Sequence, residues 1–269
     1  MKSSITNSIK SLPALSKTIS QINAIYANPK ASLNDMIKAV KHDPMIIANL
    51  LKAANSPLYG FSSGISNPAQ VVSLFGMSMT RTIAVSNAVR KLLSVDMQPY
   101  GISSERFAEI SELQASLMLK WYKKIDKIKA DKLYLASFLQ ETGKILIASD
   151  IIQGEETTSF YSEIELTNNI AQVEKSYVDV TCSEVTAEVF EYWEFDNEFI
   201  EMIRYADYPD KAPSKIREYS TALNIVKSIV PINKPFSEVS INIGLKKALD
   251  AGYNHELLED VVDDILDEI

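Results

Sequence analysis

Ser, Asn or Asp residues repeatedly stand just ahead of apolar positions spaced by three and four, and glycine occurs only 8 times in the chain. Short polar side chains satisfy the free N–H groups of a first helical turn, and a three-and-four spacing lays apolar side chains along one helical face. The pattern predicts an all-α protein built from many short, capped helices. The first follows Pro13, with Leu15, Ile19, Ile22 and Ile25 on one face, and ends at Asn28-Pro29 because the residue before proline avoids the helical region. A second opens at Ser32 with Asp35 at its third position, where a carboxylate suits the positive end of the helix dipole. Asp43-Pro44 and Asn67-Pro68 open two more, the polar residue capping and the proline occupying the first turn, where a missing N–H costs nothing. The segment from Pro68 to Phe75 stops at Gly76, and Ser78 caps a longer helix reaching Leu93.

Pro99 and Gly101 mark the clearest internal break, between Val95 and Ser104. Beyond it, helices are expected over Glu105 to Ile125 and Asp131 to Thr142, where Gly143 interrupts. Others are expected around Phe160, from Asn169 to Val178, from Ser183 to Trp193 and from Asp196 to Tyr205. Past Pro209 and Pro213 come a helix from Ser214 to Val230 and two final helices, the last strongly acidic. The division read from these breaks is a tail at 1–11, a main domain at 12–210 with helical halves at 12–95 and 104–210, and a helical extension at 211–269.

Composition narrows the function. With 46% apolar residues the chain can bury a sizeable core. Cys182 is the only cysteine, so no internal disulfide forms, and a reducing cytoplasm is the expected location. Met1 to Ser11 lacks the apolar core of a signal peptide, and no apolar run approaches the roughly 20 residues of a membrane span, so no membrane association is expected. A net charge of -8 argues against a broad phosphate-backbone footprint, and no nucleic-acid partner is expected.

One stretch is more specific. Asp43-Pro44 is followed by Leu50-Leu51-Lys52-Ala53-Ala54-Asn55-Ser56-Pro57-Leu58-Tyr59-Gly60, then by Ile65-Ser66-Asn67-Pro68 and Val71-Val72-Ser73-Leu74-Phe75-Gly76, with Leu12-Pro13-Ala14-Leu15 upstream. In order and spacing this resembles the HDOD domain, whose second half is similar to the HD metal phosphohydrolases. The resemblance covers roughly Ser11 to Pro209 and implies a helical fold with a regulatory rather than catalytic role. Catalytic HD relatives carry a "GLLHDIGK" segment whose His-Asp pair binds one or two metal ions. Leu135-Ala136-Ser137-Phe138-Leu139-Gln140-Glu141-Thr142-Gly143-Lys144 matches that segment, so the resemblance puts Gln140 and Glu141 where the ligating pair would stand. A glutamine amide is a poor transition-metal ligand beside imidazole, and a lone glutamate does not complete a coordination sphere. Thr181-Cys182-Ser183-Glu184-Val185 and Ile203-Arg204-Tyr205-Ala206 fall where the family often has further histidines, and those are absent too. The resemblance therefore implies no metal, no cofactor and no catalytic residue.

The histidine count agrees without the family, since only His42 and His255 exist, most of the chain apart. The literal His42-Asp43 dipeptide precedes Pro44 and reads as a helix cap. Asn55, Ser56, Tyr59 and Gly60 read either as a turn that locks two helices or as a ligand or partner contact at a helix end. Gln140 and Glu141 mark a vestigial pocket; a carboxylate at a helix end is ordinarily solvated or paired, and ligand binding is the alternative. Lys144 is expected to face water. Cys182 is either a redox-sensitive thiol at a helix start or a small buried apolar residue. Arg81, Arg90 and Lys91 lie on the helix after Gly76, and the order of helix, short turn and longer helix superficially resembles a DNA-reading motif, but the exposed face of that longer helix carries little charge for such work.

The resulting expectation is a non-catalytic bacterial signalling module that acts through other signalling proteins, using the groove between the first-half helices and the HD-like half. Two alternatives stand beside it: a residual metal phosphohydrolase using carboxylates such as Glu141, and a non-hydrolysing sensor of a nucleotide second messenger.

Overall fold

The computed structural model describes residues 1–55, 64–92 and 96–268. Among them every regular element is helical, either α or a short 3₁₀ turn. The helices gather into two compact units, Pro13–Leu93 on the one hand and Met1–Leu12 with Ser94–Ile269 on the other.

The smaller unit holds α2 (Lys17–Ala27), α3 (Leu33–Lys41), α4 (Pro44–Ala54) and α5 (Pro68–Leu92). Its helices start where short polar side chains accept backbone N–H groups. Ser16 accepts from Ile19, so α2 begins at Lys17 rather than directly after Pro13. Ser32 and Asp35 satisfy each other's backbone N–H groups in a reciprocal capping box. Asp43 Oδ1 accepts the N–H groups of Met45 at 3.0 Å and Ile46 at 3.1 Å, which makes the His42-Asp43 dipeptide a cap. The α5 helix is bent at Gly76, whose φ of 70° lies in the left-handed region that favours glycine. Ile19, Ile22, Met36, Val40, Leu50, Val71, Val72 and Val85 form the unit's core.

The larger unit contains α1 (Ser3–Lys10), a 3₁₀ turn at Gln98–Tyr100, α6 (Ser104–Lys123), α7 (Lys127–Leu139), α8 (Gly143–Gln153) and α9 (Thr157–Leu166). It continues through α10 (Ile170–Val178), α11 (Cys182–Tyr192), α12 (Asn197–Arg204), α13 (Ser214–Ile229), α14 (Glu238–Asp250) and α15 (His255–Leu266). Residues 1–11, read from sequence as a tail, form α1, whose Ile5 and Ile9 are buried in packing against α8 and α11. Lys2 precedes this helix with no side-chain cap, which removes the usual sequence signal. The segment read as an extension is also integral, because α13 packs against α6, α7, α12 and α14 and buries Leu223, Ile225, Val226 and Ile229. Asp126 caps α7 by accepting from Ile128 and Lys129, so the helix starts ahead of the expected Asp131.

Gly143 brings two helices of this unit together backbone to backbone. It opens α8, and its N–H donates to Thr186 Oγ1 of α11 at 2.8 Å. A Cβ there would lie 2.5 Å from the Cys182 carbonyl oxygen and 2.8 Å from the Thr186 nitrogen. Only a hydrogen at this position lets α8 and α11 meet backbone to backbone. Gly143→Ala is expected to cost roughly 1–3 kcal/mol, as overpacking against backbone does. The control is Gly154→Ala, whose Cβ meets nothing nearer than 3.3 Å. Urea unfolding of the two variants checks this, and an equal loss in both would contradict the close-contact account.

Candidate functional site

Gln140 and Glu141 form the turn between α7 and α8, and Lys144 lies in the first turn of α8. Both Glu141 and Lys144 are buried, Lys144 at only 1% exposure, so the expectation that Lys144 faces water is corrected. The reason is a set of charges that sequence reading did not bring together. Lys144 Nζ forms a close ion pair with Glu174 of α10 and lies 3.4 Å from Glu141 Oε2, with the Tyr100 ring centroid 5.0 Å away. Lys227 of α13 reaches the same point from another side. Its Nζ is 2.6 Å from Asp207 Oδ1, 3.6 Å from Glu141 Oε2 and 3.2 Å from Ser183 Oγ.

Each carboxylate is held in place by further donors. Glu174 accepts the Tyr100 hydroxyl at 3.0 Å and the Cys182 N–H at 2.8 Å. Asp207 Oδ2 accepts the Ser183 N–H at 3.0 Å. Glu174 and Asp207 thus take two of the free N–H groups that open α11, where the helix dipole favours negative charge. Gln114 of α6 donates to Glu141 Oε1 at 3.3 Å and to the Val230 carbonyl at 2.9 Å, while its own Oε1 accepts from Gln140 Nε2 at 2.9 Å.

Three carboxylates face two ammonium groups, and the protonation equilibria follow that imbalance. Burial opposes ionisation of Asp207, but the charge and hydrogen bond of Lys227 prevail and hold its carboxyl well below the usual range. Glu141 is also lowered, its burial outweighed by Lys144 and Lys227. Glu174 moves the other way because burial outweighs the pull of Lys144. Both lysines are raised, their burial more than offset by the surrounding carboxylates. The Cys182 thiol is fully buried and pushed up by that burial, which removes the reactive thiolate that a helix start would otherwise favour.

An open cavity of about 300 Å³ lies over this cluster, with Asp207 and Lys227 among its walls together with Asn168, Asn224 and Lys247. Asn55 is not part of this cluster. Asn55, at the end of α4 in the smaller unit, has its side chain fully engaged: its amide donates to the Leu51 and Ile65 carbonyls, and its oxygen accepts from Gly64 and Ile65. Those bonds perform the turn-locking role. Ser56, Tyr59 and Gly60 lie outside the described residues.

The resemblance to HD hydrolases raises the question of a metal, and the donor set does not fit one. His42 is the C-cap residue of α3 and His255 the first residue of α15, so neither supplies an imidazole to the cluster. The two ammonium groups take up the carboxylate oxygens that a cation would need. Among the described residues, no group of three or more His, Cys, Asp or Glu side chains is arranged to hold a metal ion.

Sequence reasoning missed Glu174, Asp207 and Lys227. A signal for two of them existed, since Glu174 falls four residues from both Ile170 and Val178, and Lys227 four from Leu223, on otherwise apolar stripes.

The fold agrees with what comparison shows. The HDOD domain family model matches residues 12–209, and the chain belongs to that family. Among solved structures, an HDOD domain protein of unknown function from Geobacter sulfurreducens is similar at a TM-score of 0.77 and 15% identity, over 98% of this chain and 92% of that one. A candidate phosphohydrolase from Shewanella amazonensis SB2B follows at 0.75 and 18%, over 97% and 94%. A candidate signal-transduction protein from Marinobacter aquaeolei VT8 is similar at 0.73 and 19%, over 99% of this chain and 59% of that one. At these identities the likeness is one of fold. No match was found among curated proteins.

The ion pairs carry a signed pH dependence. The stability contributed by ionised Asp207 is fully present above its unfolded value of about 3.9 and is lost as pH falls toward its lower folded value. The lysine contributions are intact below about 10.4 and are lost only above it. Asp207→Asn leaves the Lys227 ammonium buried without its nearest counter-charge, so a loss of about 3–5 kcal/mol is expected at neutral pH. The gap from wild type should narrow below about pH 4. Urea unfolding across that range measures it, and a gap that stays constant into acid would show that the charge of Asp207 is not what stabilises.

Proposed function

We propose that the chain is a non-catalytic regulatory module that works in a bacterial cytoplasm by binding another signalling protein. The observation that carries this reading is the lysine–carboxylate cluster at the position matching the metal centre of HD hydrolases, where Lys144 and Lys227 engage Glu141, Glu174 and Asp207. A hydrolase of that type needs ligands free to hold a cation that activates water. Here those oxygens are committed to ammonium groups and to backbone and side-chain donors.

Other observations support the same reading. Arg81, which a DNA-reading helix would present, is buried, with Nε donating to Asn23 Oδ1 at 2.8 Å and its guanidinium 4.5 Å from the Tyr26 ring centroid. No helix among the described residues is long and apolar enough to cross a membrane.

The cavity favours a second reading, ligand sensing. At about 300 Å³ it sits at the lower limit of small-molecule sites. Lys247 on its wall is exposed and donates to two neutral groups, Asn224 Oδ1 at 2.8 Å and Ser228 Oγ at 2.9 Å. That environment suits a small anionic ligand better than a bulky dinucleotide.

The test is metal content by mass spectrometry on tag-free protein supplied with manganese, iron and zinc, alongside phosphodiesterase assays. Substoichiometric metal and no turnover are expected, with a protein partner recovered from the native host. One or two tightly held ions per chain, with turnover abolished by Glu141→Ala, would make the chain an enzyme. Saturable calorimetric binding of a nucleotide, lost in Lys247→Ala, would establish the sensing reading instead.

A further inference from the structure

The geometry points to Lys227 as a tethered stand-in for a divalent cation: we propose that its ammonium occupies a latent cation site formed by Asp207, Glu141 and Ser183, and that this one side chain keeps the protein metal-independent. This rests on the reading that lysines have taken over the charge role of a metal centre.

Three oxygens converge on the Lys227 nitrogen, from Asp207 at 2.6 Å, Ser183 at 3.2 Å and Glu141 at 3.6 Å. Two carboxylates and a hydroxyl make an oxygen set, the kind that hard cations such as Mg²⁺, Mn²⁺ and Ca²⁺ take. Both carboxylates are oriented from behind. Asp207 is pinned through Oδ2 by the Ser183 N–H, which leaves Oδ1 for the cation, and Glu141 is held through Oε1 by Gln114, so that Oε2 faces the cation while also meeting Lys144 Nζ and Cys182 Sγ at 3.4 Å. Partners of this sort fix a metal ligand's direction and raise its affinity.

Lys227 and Lys144 differ in access. Both lysines border the cavity, but the Lys227 side chain is 11% exposed, whereas that of Lys144 is 2% exposed and packs against Glu174, Glu141 and the Tyr100 ring. Removing the Lys227 ammonium therefore opens a space that water reaches, and a Mg²⁺- or Mn²⁺-like ion keeps several waters in its coordination shell. The charge also matches. With Lys227 gone, three carboxylates face the single ammonium of Lys144, and a divalent ion supplies the missing positive charge.

The experiment uses the full chain as wild type, Lys227→Ala and the double variant Lys227→Ala/Asp207→Asn, titrated with MnCl2 at constant ionic strength. Thermal unfolding and the electron paramagnetic resonance signal of free Mn²⁺ are the readouts. Wild type should show no saturable binding. Lys227→Ala should melt lower without metal, gain stability with added Mn²⁺, and bind one ion with a dissociation constant of roughly 10⁻⁴ to 10⁻³ M, the range of weak carboxylate sites. The double variant should lose that binding.

Should Lys227→Ala be unfolded without metal, Mn²⁺ must restore its helical circular dichroism. Absence of saturable binding in folded Lys227→Ala, absence of that recovery in an unfolded one, or binding that survives Asp207→Asn overturns the proposal. Tight stoichiometric Mn²⁺ binding by wild type would instead overturn the reading of the cluster as metal-displacing. The two failures are thereby told apart.

Discussion

Two ammonium groups buried inside a helical protein are tolerable only because carboxylates meet them, and the rest of the larger unit is arranged to provide those carboxylates. Taking an isolated charge out of water costs several kcal/mol even after relaxation, and a pair recovers this only with good geometry and satisfied remaining donors. Here α8 and α13 deliver the lysines, α10 delivers Glu174, the α7–α8 turn delivers Glu141 and the segment after α12 delivers Asp207. The cluster is worth less as a source of stability than as a constraint. Any packing that separates one partner leaves a charge stranded, so the five segments are held to one mutual arrangement.

The backbone contact at Gly143 makes that arrangement reachable. Because α8 approaches α11 without an intervening side chain, Lys144 in the first turn of α8 comes up to the opening of α11, where Glu174 and Asp207 already occupy the N–H groups of Cys182 and Ser183. The free N–H groups of α11 thus gather negative charge, and the negative charge gathers the lysines. Thr186, one turn further along α11, ties the contact by accepting from Gly143 and donating to the Gln140 carbonyl at 3.1 Å. A close helix crossing, a helix dipole and an ion-pair cluster are here parts of one device.

Most of the fold was legible because it is written locally. Ser16, Ser32, Asp43, Asn169, Thr181 and Asp196 each accept a backbone N–H at the start of a helix, and such contacts depend on residues two or three apart in the chain. The α1 helix escaped because Lys2 ahead of it makes no side-chain cap and its burial depends on α8 and α11, far away in sequence. The site was less legible for the same reason. Gln140 and Glu141 stood out through a local motif, but the meaning of Glu141 rests on Lys227, 86 positions later, and that of Lys144 on Glu174, 30 positions later. A lysine near a helix start ordinarily faces water, and only the long-range carboxylates reverse that expectation for Lys144.

The segments that resemble the family therefore carry different physics. In the smaller unit, Asn55 makes four hydrogen bonds to backbone groups of Leu51, Gly64 and Ile65, so this motif residue fixes how the chain leaves α4. In the larger unit, the segment that resembles a metal-binding signature puts its turn and its glycine beside a lysine–carboxylate cluster. Glu141 accepts from Gln114 and faces two lysines, and Gln140 keeps a buried Oε1 with no hydrogen-bond partner. A buried amide oxygen left unbonded costs free energy that a packed apolar residue would not.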